Sequence, residues 1–415
     1  MEKKRKPKMT LGLWLIEKVN TADWRAGKVT GMKHPEIDRN ILEELGREGL
    51  LEQAAELEKA GIITVEWKQV RTDIGKIHFP VENMARLCCR EGVENPKDRL
   101  ENARRRVEKY REETRAAWLH EYYDSLLSRM DRGTVPANAQ EETFLKCLNG
   151  LAALEKDTWK RKFSTDVLGQ SKLFEKNYEK RVLTVLYNYS PKVVDGMTEE
   201  EVWAEHKILT YSQTLEWKGC LSYRIAGDRE GADREPDVAD AQIDTSVLRY
   251  GTVINAQTLT HAIPVSLGET ERIITIENKA NYESMEFDPK TLYIYTHGFV
   301  SPKERAFLEK VRDLAKGEVL FFHWSDMDYG GIRIFQFLRQ QVFPKIEPLF
   351  MEKEDFERAL KEGKGIPLSP EKREKLVKMD AGALEELKQC ILKSGMEIEQ
   401  ENLLESGCMA DGPGL

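Results

Sequence analysis

The chain has 415 residues, 33% charged and 40% hydrophobic, with 64 Lys and Arg against 72 Asp and Glu and a formal net charge of −8. That length predicts two or three domains and the composition a soluble globular protein, which the alternation of strands and helices makes an α/β multi-domain one. The acid excess excludes a histone-like protein held on DNA by bulk charge, though local basic patches can still bind it. No apolar run approaches the roughly 18–20 residues of a membrane span, so no membrane association is expected.

In chain order, the basic stretch Met1 to Lys8 precedes a short apolar run that ends at Glu17-Lys18. Without a longer run and a small-residue cleavage site, this reads as an intracellular N-terminus and not as a leader. Ile37 to Leu45 and Leu50 to Lys59 carry apolar residues at helical spacing, and Gly61 stops the second helix. Ile62 to Trp67 and Lys76 to Phe79 read as strands joined by a turn at Asp73-Ile74-Gly75. Helices followed by a ribbon predict a winged-helix-like region over 1–95, of a kind that binds either DNA or protein. Residues 96–135 read as a helical arm. Its Arg104-Arg105-Arg106 run is interleaved with glutamates, as a solvated, ion-paired face or as a surface for phosphate or a partner.

From 136 to 245 the pattern predicts helices over Ala139–Lys156 and Leu173–Tyr189, a helix start at Thr198, and a strand over Leu215–Ile225. An acidic, Gly- and Pro-containing linker follows at Gly227–Asp240. From 246 to 415, strands over Arg272–Ile276, Leu292–Thr296 and Val319–Trp324 alternate with helices over Pro302–Ala315 and Gly331–Val342. Short apolar strands between helices predict a parallel sheet covered on both faces, whose ligands sit at the carboxyl ends of its strands. The six cysteines, Cys88, Cys89, Cys147, Cys220, Cys390 and Cys408, form no C-x-x-C pair. That fits a reduced cytoplasm without cysteine-bound zinc.

The chemistry is sought at those strand ends. Glu277 follows the first of these strands, and Asp326 and Asp328 follow the third, in Ser325-Asp326-Met327-Asp328-Tyr329-Gly330-Gly331. Carboxylates this close repel one another unless a hard cation such as Mg²⁺ or Mn²⁺ neutralises them. One or two such ions can drive phosphodiester hydrolysis. Gly330-Gly331 lets the backbone approach a phosphate at a helix start. A lone Asp-x-Asp reads as a helix cap; the strand-end glutamate tips it toward a metal site.

A strand-end Glu with a later Asp-x-Asp resembles the Toprim domain of topoisomerases, primases and related nucleases. Ile276-Glu277-Asn278-Lys279-Ala280-Asn281, Tyr295-Thr296-His297-Gly298 and Trp324 to Gly331 are, more closely, similar to the JetD family, nuclease subunits of Wadjet anti-plasmid defence systems. Gly169-Gln170-Ser171-Lys172 resembles that family's Gly-Asp-Ser-Lys turn, departing at Gln170, and Ile398-Glu399-Gln400-Glu401 resembles its Leu-Glu-Gln-Glu motif. The resemblance runs from about 160 to 405 and is specific in its second half. It implies a topoisomerase VI A subunit-like fold, with a CAP-like winged-helix domain over 136–245 and a Toprim nuclease domain over 246–415. It implies a homodimer acting on double-stranded plasmid DNA. The implied partners are an SMC-type ATPase, a kleisin and a small winged-helix subunit. Glu277, Asp326 and Asp328 inherit the metal and catalytic role, and Glu399 or Glu401 could add a carboxylate, although both also read as part of a solvated acidic helix.

Two other functions stay open. A topoisomerase VI A-like enzyme would cut with a tyrosine, and Tyr178, Tyr187 and Tyr189 lie in the corresponding region, where packing explains them better. A non-catalytic binding subunit would have no use for three carboxylates at one edge. Lys172 and Lys279 read either as phosphate contacts or as surface lysines. His323 reads as a satisfied core histidine before a general base, and His297 as the better site candidate of the two. No Walker A sequence is present, so ATP hydrolysis falls to a partner.

Overall fold

The computed structural model describes residues 9–68, 72–210, 213–225, 242–315, 317 and 319–406. The basic stretch before Met9 and the Gly227–Asp240 linker lie outside the described residues. The chain divides into two compact units, one of residues 1–155 and 161–191 and one of residues 156–160 and 192–415.

In the first unit, the apolar run after Thr10 is a helix, Leu11–Val19, capped where the Thr10 side chain accepts the Leu13 N–H. Leu11, Trp14, Leu15 and Val19 are buried in one cluster with Trp24, Ile41, Leu57, Ile77, Phe79 and Leu87. The two helices expected around residues 37–59 form one kinked element, Arg39–Lys59, bent at Gly46, whose φ of 69° suits a residue without a Cβ. The expected ribbon pairs Thr64–Lys68 with Asp73–Pro80 antiparallel, and Met32–Lys33 adds a third strand on the other side of the longer one.

The region read as an arm forms two helices, Pro96–Glu113 and Ala117–Asp131. Leu100, Ala103, Val107 and Tyr110 line the buried face of the first, and Leu119, Tyr123, Leu126 and Met130 that of the second. Asn149 joins them to the Glu142–Ala152 helix, donating to the Tyr110 carbonyl at 2.8 Å and accepting from the Tyr123 hydroxyl at 2.7 Å. The arginines are internally paired: Arg104 with Asp131, Arg105 with Glu101, Arg111 with Asp124. Arg106 donates to the carbonyls of Ala139 and Gln140. The two helices pack into the unit through their apolar faces, with buried residues at every third or fourth position, while Arg105 stays on the solvated, ion-paired side.

The second unit is built on a six-stranded sheet. Its order is Glu347–Pro348, Leu320–Trp324, Arg272–Ile276, Thr291–Tyr295, Thr214–Lys218, Thr252–Asn255. The first four are mutually parallel, and Thr214–Lys218 runs antiparallel to both its neighbours. The sheet therefore extends upstream of residue 246, across the border drawn from the sequence. Alternation alone could not assign the Thr214–Lys218 strand to a sheet whose other members begin some forty residues later. The expected long strand over 215–225 is two strands, broken at Gly219, where φ is 135° and a Cβ would lie 2.5 Å from the Thr291 carbonyl oxygen. The second piece, Ser222–Ile225, belongs to a separate antiparallel sheet with Ala262–Ser266 and Gln242–Asp244. Ile273, Ile274, Ile276, Leu292, Ile294 and Trp324 are buried, as strands covered on both faces require. No helix among the described residues is long and apolar enough to cross a membrane.

Candidate active site

The parallel register sets Ile276 level with Tyr295 on one side and with Trp324 on the other. Residues just beyond those three positions leave the sheet at one edge: Glu277, then Thr296 and His297, then Asp326 and Asp328. The Glu277 N–H still donates to the Trp324 carbonyl at 3.1 Å, and the Thr296 N–H to the Ile276 carbonyl at 2.9 Å, so the ladder holds the exits together.

Each acid has a different setting. Glu277 Oε2 is buried and has no hydrogen-bond partner among the described residues. Burial, with the charges of Asp326 and Asp328 added, pushes the Glu277 carboxyl up to about 8. Asp326 Oδ1 accepts the Gln400 N–H at 2.7 Å, yet burial, with Asp328 beside it, still pushes this carboxyl up to about 7. Asp328 caps the Tyr329–Gln341 helix, Oδ1 accepting the Gly331 N–H at 2.8 Å, while Oδ2 takes the Lys372 ammonium at 2.8 Å. So the cap reading and the site reading of Asp328 hold together. Gly331 is required by close approach: a Cβ there would lie 2.0 Å from the Asp326 carbonyl oxygen.

The C-terminal segment closes over this edge. Met327 and Ile398 form a bridge, donating to each other's carbonyls at 2.9 and 3.3 Å. Gln400 is a clasp: its side chain donates to the Trp324 carbonyl at 3.2 Å and accepts the Asn278 N–H at 3.0 Å, and its carbonyl accepts from the Asn281 side chain. Glu399 is part-buried beside Asp328, and burial followed by that charge raises its carboxyl. Glu401 is exposed and accepts from the Asn278 side chain at 2.8 Å.

Lys279 turns toward the Thr214–Lys218 strand, its ammonium paired with Glu216 and lying 5.0 Å from the Tyr295 ring centre. Lys172, in the first unit, is an exposed residue at the start of a five-residue helix. His323 is fully buried; burial drives its imidazole down to about 3, and Nδ1 meets the Thr275 hydroxyl at 2.8 Å. It is a neutral core histidine. His297 has a left-handed φ of 47°, and its Nε2 meets the fully buried Glu304 at 3.1 Å. Burial opposes its charge, but Glu304 and Glu201 outweigh that and leave the imidazole raised. Of the tyrosines, Tyr189 donates to Ser125 and packs on Tyr122, while Tyr187 is 44% exposed.

Three residues escaped the sequence reading. Lys372 bridges Asp328 and Glu397, Glu397 is 8% exposed, and Glu201 accepts the Phe299 N–H at 2.9 Å just past His297. Glu201 had a signal in the capping pattern at Thr198; Lys372 had none; Glu397 stood one residue before a motif that drew attention to Glu399.

Among the described residues no three His, Cys, Asp or Glu side chains form a cage that could hold a metal by themselves. The donor set nonetheless fits a hard divalent ion. Two carboxyls at this edge, Glu277 and Asp326, are part-buried and have no cationic side chain bonded to them among the described residues, and Mg²⁺ commonly takes only one or two protein carboxylates, with water and substrate phosphate completing its shell.

A helix-flanked, mainly parallel sheet with carboxylates gathered at its C-terminal edge defines an α/β protein with an acidic site where such sheets hold their ligands. Residues 233–407 match the family model described as Wadjet protein JetD, C-terminal. Wadjet protein JetD of Bacillus cereus (strain Q1) is 27% identical over 295 residues, 68% of each chain. Through this C-terminal part the chain is similar to the JetD family.

Proposed function

We propose that the chain is the metal-dependent DNA endonuclease subunit of a Wadjet complex, hydrolysing phosphodiesters of circular plasmid DNA through a Toprim-type site. The observation that carries this reading is Glu277: a strand-end carboxylate beside Asp326 with a buried oxygen that has no hydrogen-bond partner among the described residues. Buried carboxylates without a counter-charge are costly, and a site that keeps them is tuned for a cation. Glu277 and Asp326 would hold Mg²⁺ or Mn²⁺, and Asp328 would orient the loop that carries Asp326. The chemistry such an ion supplies when bound is activation of water and stabilisation of the leaving oxygen. Gln400 fixes Asp326 from behind, and the Asn278 cap fixes the exit of Glu277. Glu399, part-buried and raised by that burial and then by the Asp328 charge, is the candidate for a further carboxylate; Glu401, bonded to Asn278, is better read as support.

The remaining expectations belong to the same reading: winged-helix domains upstream, a homodimer, cytoplasmic location, and association with an SMC-type ATPase, a kleisin and a small winged-helix subunit. Lys279 is paired with Glu216, and Lys172 lies exposed in the first unit, so neither carries this reading. The test is cleavage of a supercoiled plasmid by the reconstituted complex with ATP and Mg²⁺ or Mn²⁺. Linear product with free ends, lost in Glu277→Ala, is expected. Protein-linked ends would move the chemistry to a tyrosine, and equal cleavage by the Glu277→Ala protein would remove this site from the reaction.

A further inference from the structure

The acidic edge already contains one positive charge. Lys372 is the third residue of the Pro370–Lys378 helix, and its own N–H is held by the Ser369 cap. The helix is anchored by the fully buried Leu376 and by Arg373, which donates to the Leu392 carbonyl at 2.8 Å. From that fixed base the Lys372 ammonium reaches Asp328 Oδ2 at 2.8 Å and Glu397 Oε1 at 2.9 Å. Glu397 is held in turn by pairing with Ile366 in a two-stranded ribbon, one residue before the Met327–Ile398 bridge. Its side chain is 8% exposed, and its second oxygen is buried with no hydrogen-bond partner among the described residues.

The four carboxylates therefore fall into two pairs. Among the described residues, Glu277 and Asp326 have no cationic side chain bonded to them, and Glu277 Oε2 has no hydrogen-bond partner. Asp328 and Glu397 share an ammonium, and both oxygens of Asp328 are committed, one to Gly331 and one to Lys372. In two-metal phosphodiesterases the ions lie roughly 3.5–4 Å apart and share carboxylates. A second dication at Asp328 would have to expel Lys372 or stand against it at contact distance.

We propose that Lys372 is the resident cation of the Asp328–Glu397 half of the site, so that the chain takes one divalent ion, at Glu277 and Asp326, and not two. This rests on the metal-dependent reading above and specifies its stoichiometry. Lys372 acts through Asp328 and is a positioning residue. Its removal leaves Asp328 Oδ2 and both oxygens of Glu397 unpaired, which is a second cation site.

The test is Mn²⁺ titration of the full chain without DNA, followed by electron paramagnetic resonance. The wild type should bind one ion per chain with the spectrum of an isolated Mn²⁺, and Glu277→Ala should lose it. Lys372→Met should bind two ions, spin-coupled by their closeness, and Lys372→Arg should return the count to one. Two ions in the wild type, or one ion in a folded Lys372→Met protein, would overturn the proposal and leave the metal-dependent reading standing. No ion in the wild type would overturn both. Should Lys372→Met fail to fold by circular dichroism, the wild-type count decides alone.

Discussion

Glu277 and Asp326 are carboxyls whose protons the fold retains. In the folded state Glu277 titrates at about 8 against an ordinary 4.5, first because it is buried and then because Asp326 and Asp328 repel its charge. Between those values the folded chain binds a proton that the unfolded chain has lost, so stability falls as pH rises through this window. Asp326, at about 7, acts in the same direction. Thermal melts without divalent ions should show Tm falling from pH 5 to pH 8.5, with a shallower slope for Glu277→Gln. Added Mn²⁺ should raise Tm more at pH 8 than at pH 6, because binding then competes with fewer protons. A Tm that climbs across the same range in the metal-free wild type would contradict this electrostatic account.

At the scale of elements, the site depends on how the Tyr329–Gln341 helix leaves the sheet. Gly331 sits where a Cβ would meet the Asp326 carbonyl oxygen at 2.0 Å, backbone that a side-chain rotation cannot relieve. Gly331→Ala should cost at least about 2 kcal/mol in denaturant unfolding and should weaken Mn²⁺ binding through displacement of Asp326. Trp324, fully buried in the strand before the loop, should cost roughly 3–5 kcal/mol as Ala. The Thr198–Glu201 capping box is a second joint. Its glutamate also takes the Phe299 N–H, and Gly298, at a φ of 125°, leaves room for it. Glu201→Ala should cost about 1–2 kcal/mol, since a helix start and a loop N–H lose their acceptor together.

For the whole molecule, charge bounds how the chain would meet the DNA of the proposed reaction. The net charge is −8, and the arginines of the Pro96–Glu113 helix that might have tracked phosphates are largely paired with acids or bonded to carbonyls of the same unit. The isolated chain should therefore bind duplex DNA weakly, with a log K against log salt slope numerically below about 3, and the assembled complex more steeply. Fluorescence anisotropy over a salt series measures both. A steep slope for the chain alone would mean that a basic surface outside the described ion pairs engages the backbone.

The amino-acid sequence by itself determined the part of the site that depends on local order. Glu277, Asp326 and Asp328 each follow a short apolar strand, and parallel strands separated by helices must release such residues at one edge. The same local logic identified His323 as a core residue and the 37–59 segment as helical. What only the tertiary structure decided are contacts between distant segments. Lys372 lies 44 residues beyond Asp328, and Gln400 lies 74 beyond Asp326. Neither spacing carries a periodicity that could announce it. The Thr214–Lys218 strand joined the sheet, Glu397 became the buried acid while Glu401 stayed exposed, and the arginine-rich helix turned its charges to neighbouring acids. In each case long-range packing chose which face of an element is covered, and local sequence leaves that choice open.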